Sequence, residues 1–87
     1  MQIKYSPVFR KHYKKIPKDI QEKLRERLIL FIKDRNHPYL HDHGLSGNFS
    51  HCRSFNVTSD WRVIYEFSLD EKSIVLQAIG THSQLYG

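Results

Sequence analysis

The sequence predicts an α+β domain in which a mainly antiparallel four-stranded sheet carries two helices on one face. Three observations lead to this class: helical spacing of apolar residues in the first 35 positions, strand-like alternation after position 48, and hairpin-sized breaks between the later strands. Strands joined by such short breaks pair as antiparallel neighbours, and helices beside a small sheet collect on one side of it. The 87 residues suffice for one domain, which we assign to residues 1–87.

The N-terminal part is predicted to form one strand and two helices. Gln2–Tyr5 alternates polar and apolar residues, as a strand does. Ser6 followed by Pro7 is a helix-start signal, a hydroxyl cap with proline at the first helical position. Pro17 separates this first helix from a longer one at Lys18–Arg35. An apolar stripe marks the buried side of the longer helix: Ile20, Leu24, Leu28 and Phe31.

The C-terminal part is predicted to form a loop and three strands. Residues 36–48 are rich in glycine, histidine and proline and are typical of a loop. The predicted strands are Phe49–Val57, Trp61–Phe67 and Ile74–Ile79. The resulting order is strand, helix, helix, strand, strand, strand.

Charge divides the chain into two unlike parts. Residues 1–35 hold 11 Lys and Arg against 4 Asp and Glu, whereas residues 36–87 hold 3 against 5. Five of the six histidines lie in the second part, where the net charge can change near neutral pH. The cationic first part suits a polyanion such as nucleic acid, although a solvated helix surface is the simpler explanation of the same charges.

The cysteine count and hydropathy bear on location. Cys52 is the single cysteine, so an intramolecular disulfide is impossible, as is typical of proteins in a reducing cytosol. No apolar run approaches the roughly 18–20 residues that span a bilayer. The N-terminus has no signal-peptide core. We therefore expect a cytoplasmic protein without a membrane partner.

The titratable side chains of the second part suit one reaction, the cleavage of RNA by its own 2′-hydroxyl group. That reaction requires a base for the 2′-oxygen, an acid for the leaving 5′-oxygen, and positive charge for the phosphorane. Histidine suits both proton transfers because its pKa lies near operating pH, and arginine suits the phosphorane because it stays charged. The scheme requires no metal, and an aromatic side chain can stack on an unpaired base.

A metal site is the competing chemical interpretation. His41, Asp42 and His43, together with His51, offer ligands that zinc accepts. An H-x-H pair in a loop is a weak signal without a cysteine cluster or an H-E-x-x-H helix to support it. We therefore predict no metal and no other cofactor.

Three segments carry a resemblance to a known family: HGLSGNFSHCRSFNV, SDWRVIYEF and IGTHSQLYG. Together with the helical pattern KKIPKDIQEKL, they resemble the RelE/ParE superfamily of type II toxin–antitoxin toxins, and within it the YafQ-like branch of messenger-RNA interferases. The resemblance covers nearly the whole chain, and GTHSQLYG is its most specific part. It implies a ribosome-dependent endoribonuclease that cuts messenger RNA and that a cognate antitoxin silences in a hetero-oligomeric complex.

The resemblance also assigns site residues. His43 matches the loop histidine of the family, Asp60 its turn aspartate, His82 its C-terminal histidine and Tyr86 its terminal aromatic residue. His82 is then expected to act as general acid, with Asp60 or His43 as base or as its orienter. Tyr86 would stack on a base.

Residues on the first and second of the later strands complete the prediction. Where relatives can carry an aspartate and a histidine, this chain has Ser54 and Asn56, and neither is a ready base. Proton transfer is therefore expected to rest on His43, Asp60 and His82. Asn56 is assigned to substrate binding. Arg53 is expected to stabilise the phosphorane, and Arg62 either binds substrate or serves the strand structure.

Two other functions remain open at this stage. A toxin of the same fold could inhibit DNA gyrase, as ParE-like relatives do, or the domain could bind RNA or protein without catalysis. The histidine-rich second part argues against the gyrase alternative, because poisoning a partner by binding does not demand proton-transfer groups.

Overall fold

The computed structural model describes residues 1–87 and contains five strands, three α-helices and one 3-10 turn. In chain order the elements are β1 (Gln2–Tyr5), α1 (Pro7–Lys15), α2 (Lys18–Lys33), β2 (His43–Gly44), the 3-10 turn (Gly47–Phe49), β3 (Arg53–Asn56), β4 (Trp61–Phe67), β5 (Ser73–Thr81) and α3 (His82–Tyr86). The strand order is β1-β5-β4-β3-β2. β1 runs parallel to β5, and the other neighbours are antiparallel. The predicted α+β class and element order are confirmed, with β2 and α3 as additions to the four strands and two helices expected.

Local signals fix the ends of the two long helices. The Ser6 hydroxyl accepts a hydrogen bond from the Phe9 amide at 3.0 Å and caps α1, with proline at its first position. α2 ends two residues before the predicted end, because Asp34 leaves the helical conformation. Its carboxylate accepts from the Asn36 amide at 3.1 Å, an interaction that favours a turn over a further helical residue. None of the helices has the length and apolar character needed to cross a bilayer.

The first of the three later strands is shorter than predicted. Residues 49–52 turn instead of extending: Gly47 has a φ of 64°, and the Cys52 amide donates to the Phe49 carbonyl at 2.8 Å. The positive φ favours glycine and starts the 3-10 turn. Strand pairing therefore begins only at Arg53.

The core lies between the two long helices and one side of the sheet, which we call the helix face. Phe55, Val63 and Ile79 lie side by side across three strands on this face. They join one cluster of 13 buried residues with apolar side chains from α1 and α2. Phe31 of α2 contacts Tyr65 of β4 edge to face, with ring centroids 5.1 Å apart. The predicted stripe of α2 is confirmed, with Ile20, Leu24 and Phe31 buried and Leu28 partly buried.

The opposite side of the sheet carries the alternate residues, and we call it the site face. Strand register pairs Ser54 with Ile64 and Asn56 with Arg62, and pairs Arg62 also with Gly80. Because directly paired residues project to the same side, these five define the site face.

Candidate functional site

The C-terminal helix packs against the Gly80 end of the site face. A β-carbon built on Gly80 would lie 2.9 Å from the Gln84 side-chain oxygen and 3.4 Å from a methyl group of Leu85. Thr81 begins α3 with a reciprocal cap: its hydroxyl accepts from the Gln84 amide at 3.2 Å, and its own amide donates to the Gln84 side chain at 2.9 Å. The last residues of the chain are thus folded onto the sheet by a glycine and a capping box.

This arrangement brings Asp60 and His82 together. The His82 amide donates a hydrogen bond to the Asp60 carbonyl oxygen at 3.1 Å. Both residues are exposed, so their side chains are accessible to a ligand. The His82 ring lies 5.0 Å from that of Tyr86, which in turn meets Phe49 edge to face at 6.3 Å. The turn that precedes β4 and the first residues of α3 therefore form one wall of the candidate site.

His43 lies on β2, opposite Ser54 of β3, and so belongs to the same side of the sheet. Its Nδ1 atom is 2.8 Å from the carbonyl oxygen of His41, a residue held at a φ of 46°. Since a carbonyl can only accept, this contact is a hydrogen bond when Nδ1 carries the proton. The neutral His43 ring then presents an unprotonated Nε2, the form that a general base requires.

Four buried polar atoms without a hydrogen-bond partner belong to residues of this region: Ser54 Oγ, Asn56 Oδ1, Arg62 Nε and Tyr86 Oη. Such atoms are rare in folded proteins, because leaving one unpaired costs about 1–3 kcal/mol. Three of the four residues sit on the site face, and the fourth is on α3, which covers its Gly80 end. The group thus has the hydrogen-bonding capacity for a polar ligand.

Arg62 occupies the centre of this region. It is paired with Asn56 on one side and with Gly80 on the other. One terminal nitrogen donates to the Ser59 carbonyl at 3.1 Å, while Nε is unpaired. The half-buried guanidinium thus adds a permanent positive charge to the site face.

Arg53 lies elsewhere, because its neighbour in register is Tyr65 of the helix face. Its guanidinium holds Asp42 through two contacts at 2.6 and 2.7 Å, and the Tyr65 hydroxyl donates to the second oxygen of that carboxylate. Burial alone would lower the pKa of Arg53, but the hydrogen bond and charge of Asp42 raise it. The structure thus places Arg53 on the helix face, where Asp42 engages it, and Arg62 on the site face.

The same triad bears on the competing metal site at residues 41–43. The Asp42 side chain is 2% exposed, and both of its oxygens are occupied by Arg53 and Tyr65. It therefore offers no free ligand beside His41 and His43. Cys52 is no better as a nucleophile, because burial and the charge of Glu66 raise the pKa of its thiol.

Two features of the site escaped the sequence-based prediction. Ser54 counted only as a substitution within the family pattern, yet strict alternation with the buried Phe55 places its hydroxyl on the site face. Phe49 was predicted to lie in a strand and instead contacts the Tyr86 ring from the 3-10 turn. The position of Ser54 could be found from strand alternation alone, whereas the position of Phe49 depends on a tertiary contact.

The fold is that of one class of protein, the RelE/ParE-like toxins. The chain belongs to the YafQ family, since the model for the YafQ bacterial toxin of type II toxin–antitoxin systems matches residues 1–87.

Solved structures agree with this assignment. A variant of YafQ from E. coli is 30% identical, with a TM-score of 0.81 over 99% of this chain and 98% of that one. The toxin in the E. coli DinJ–YafQ toxin–antitoxin complex is 28% identical, with a TM-score of 0.74 over 99% and 97%. A chain of the RelBE2 toxin–antitoxin complex of Mycobacterium tuberculosis is 12% identical and shares the fold, with a TM-score of 0.75 over 93% and 96%. No curated protein matches the chain in sequence.

Proposed function

We propose that this toxin is a ribosome-dependent endoribonuclease that cleaves messenger RNA without a metal ion. The observation that carries the proposal is the set of unpaired polar atoms on and beside the site face, flanked by His43 on one side and by Asp60 and His82 on the other. Phosphate oxygens can accept from the hydroxyl and guanidinium groups of this set, a ribose hydroxyl or base N–H can donate to Asn56 Oδ1, and the flanking groups can move protons at neutral pH.

The reaction uses the nucleophile of the substrate. The 2′-oxygen attacks phosphorus, the bond to the 5′-oxygen breaks, and the products carry a 2′,3′-cyclic phosphate and a 5′-hydroxyl group. His43 Nε2 or the Asp60 carboxylate accepts the 2′-proton, and His82 donates a proton to the leaving 5′-oxygen. Arg62 binds the phosphoryl oxygens as negative charge grows on them, which places it in the role first expected of Arg53.

The remaining groups position the substrate. The side-chain amide of the half-buried Asn56 hydrogen-bonds to the nucleotide. The Tyr86 ring stacks on an unpaired base, an interaction that contributes about 1–3 kcal/mol in proteins that bind single strands.

The ribosome, an antitoxin and a cytoplasmic location complete the proposal. Exposed lysines of α1 and α2, such as Lys11, Lys14 and Lys18, would contact ribosomal RNA through its phosphates. Related toxins have been solved with their antitoxins, as in DinJ–YafQ and RelBE2. A cognate antitoxin would likewise bind this chain and silence it until the complex is broken.

Replacing His82 with alanine tests the proposal. We expect growth arrest and transcript cleavage to fall by about 10²–10⁴-fold in cells that express His82→Ala, because the leaving oxygen loses its acid. His37→Ala is the matched control, since His37 lies in the exposed loop before β2 and its ring contacts only the neighbouring Tyr39. Full cleavage by His82→Ala, or arrest with DNA-damage signalling and intact transcripts, would contradict the proposal.

A further inference from the structure

A second cluster of reactive side chains lies at the other end of the sheet from His82. Register pairs Arg53 with Tyr65, so Cys52 and Glu66 come next to each other one step further along β3 and β4. His51 adjoins them, with its Nε2 atom 3.8 Å from a carboxylate oxygen of Glu66. One nitrogen, one sulfur and one oxygen atom from these residues all lie within 4.8 Å of one another.

We propose that His51, Cys52 and Glu66 form a zinc-binding site separate from the candidate RNA site. An imidazole, a thiolate and a carboxylate are the donors that Zn²⁺ accepts, whereas Mg²⁺ and Ca²⁺ prefer oxygen alone. Three protein ligands leave a fourth tetrahedral position for water or an external group.

The spacing needs only a small adjustment to hold the ion. Bonds of about 2.0–2.3 Å in a tetrahedron separate the donors by about 3.4–3.7 Å. The His51 side chain is 65% exposed and can rotate toward the other two donors without disturbing the core. Cys52 is 4% exposed and fixed by its place in the fold, so it acts as the anchor of the site.

The carboxylate is already oriented. The Gln77 side-chain amide donates to Glu66 Oε1 at 2.6 Å, and it is the other oxygen, Oε2, that lies toward His51. A partner that fixes a ligand in this way strengthens metal binding by about 10–100-fold in characterised sites. The Gln77 contact thus distinguishes this cluster from a chance grouping of surface residues.

The cluster shares no residue with the proposed RNA site and lies at the end of the site face away from Asp60 and His82, with Cys52 two residues before Ser54. Asp60 precedes β4 and Glu66 lies near its end, six residues later, a span of about 20 Å at the rise of an extended strand. A bound ion would connect the segment before β3 to β4. It would therefore stabilise this end of the sheet.

Titration of the purified full-length chain with Co²⁺ tests the site, because a thiolate ligand gives Co²⁺ a charge-transfer absorption. We expect saturable binding of one ion with this band, displacement by Zn²⁺, and no displacement by excess Mg²⁺. Cys52→Ser should lose the band, His51→Ala and Glu66→Gln should weaken binding at least about tenfold, and Gln77→Ala should weaken it by about 10–100-fold.

His43→Ala provides the control, because it removes an imidazole of the alternative pair and leaves the proposed ligands intact. Its binding should equal that of the wild-type chain. Loss of binding in His43→Ala would place the ion at His41 and His43 and overturn the proposal. Unchanged binding in both His51→Ala and Glu66→Gln would overturn it too, even if Cys52→Ser proved too unstable to assay.

Discussion

The two arginines of the sheet show how a residue's role follows from the face that it occupies. Arg53 and Arg62 are both half-buried and both lie on strands. Arg53 shares the helix face with Tyr65 and neutralises the buried Asp42, whereas Arg62 shares the site face with Asn56. Sequence reasoning identified both as candidates and favoured Arg53 for phosphate contact. It could not reveal that Asp42 pairs with Arg53, because Asp42 lies in a loop that no periodicity describes.

Replacing each arginine with glutamine should separate these roles. We expect Arg62→Gln to lower transcript cleavage by about 10²–10³-fold with little change in the free energy of unfolding, because it removes a cation from the site. Arg53→Gln should instead lower the free energy of unfolding by about 1–3 kcal/mol, since it leaves a buried carboxylate underpaired. Cleavage by purified protein and urea denaturation measure the two effects. A loss of cleavage in Arg53→Gln and a loss of stability in Arg62→Gln would instead assign phosphate binding to Arg53.

The phenol of Tyr65 makes stability depend on alkaline pH. Burial and the hydrogen bond to Asp42 raise its pKa above the usual value, so the neutral form is favoured in the folded chain. The stabilisation that comes from the raised pKa is fully present below the unfolded-state pKa of about 10. It is lost as pH rises through the folded-state pKa. Urea denaturation at intervals above about pH 9 should show a steeper loss for the wild-type chain than for Tyr65→Phe. Equal slopes would contradict this assignment.

Among the elements, α3 is the one on which the site depends most. It supplies His82 and Tyr86, and it is held by the Thr81 cap and by close contact with Gly80. The ending GTHSQLYG identified these residues as functional, but five residues are too few for a periodic pattern, so the helix itself was not predicted. β2 escaped for the same reason, being two residues long and defined only by its pairing with β3.

Gly80→Ala should displace α3 without unfolding the domain. The added methyl group would lie 2.9 Å from Gln84 Oε1 and 3.3 Å from Gln84 Cβ, so the side chain that caps α3 must move and the helix must yield by a few tenths of an ångström. We expect cleavage to fall about 10–100-fold, since a small misplacement of catalytic groups is costly, with at most about 1 kcal/mol lost in stability.

Gly47→Ala is the control for this change. Gly47 also lies outside the α-helices, but a β-carbon there meets no atom within 4 Å, and only its φ of 64° resists substitution. It should therefore lose stability by about 1 kcal/mol and keep its cleavage per folded molecule. Full cleavage by Gly80→Ala would mean that the position of α3 does not matter.

At the scale of the whole molecule, the fold places most of the permanent positive charge and the candidate catalytic groups on different sides of the sheet. The helices carry most of the lysines and arginines, and the titratable groups gather on the other side of the sheet and at its ends. Apolar spacing, caps and hairpin breaks sufficed to predict this arrangement, because they are local signals repeated along the chain. The assignment of arginines and the zinc-ligand cluster could not be predicted, because they depend on which strands meet in which register.

The cationic helices should set the salt dependence of ribosome binding. Replacing Lys11, Lys14, Lys15 and Lys18 with glutamine removes four positive charges from the helix surface. We expect the slope of log affinity against log salt concentration to fall by about 0.7–0.9 for each phosphate that the variant no longer neutralises. Lys72→Gln, an exposed lysine outside the helices, should leave the slope unchanged. Co-sedimentation with ribosomes at several salt concentrations gives the slope, and an unaltered slope in the fourfold variant would exclude these helices from ribosome binding.

The chemical ends of cleaved transcripts test the central claim most directly. In a purified translation system, the wild-type chain should produce discrete cuts whose upstream fragments end in a 2′,3′-cyclic phosphate and whose downstream fragments begin with a 5′-hydroxyl group. His82→Ala should leave the same transcripts whole. Fragments that begin with a 5′-phosphate, or transcripts that stay intact with the wild-type chain, would contradict acid–base cleavage by the RNA's own hydroxyl group.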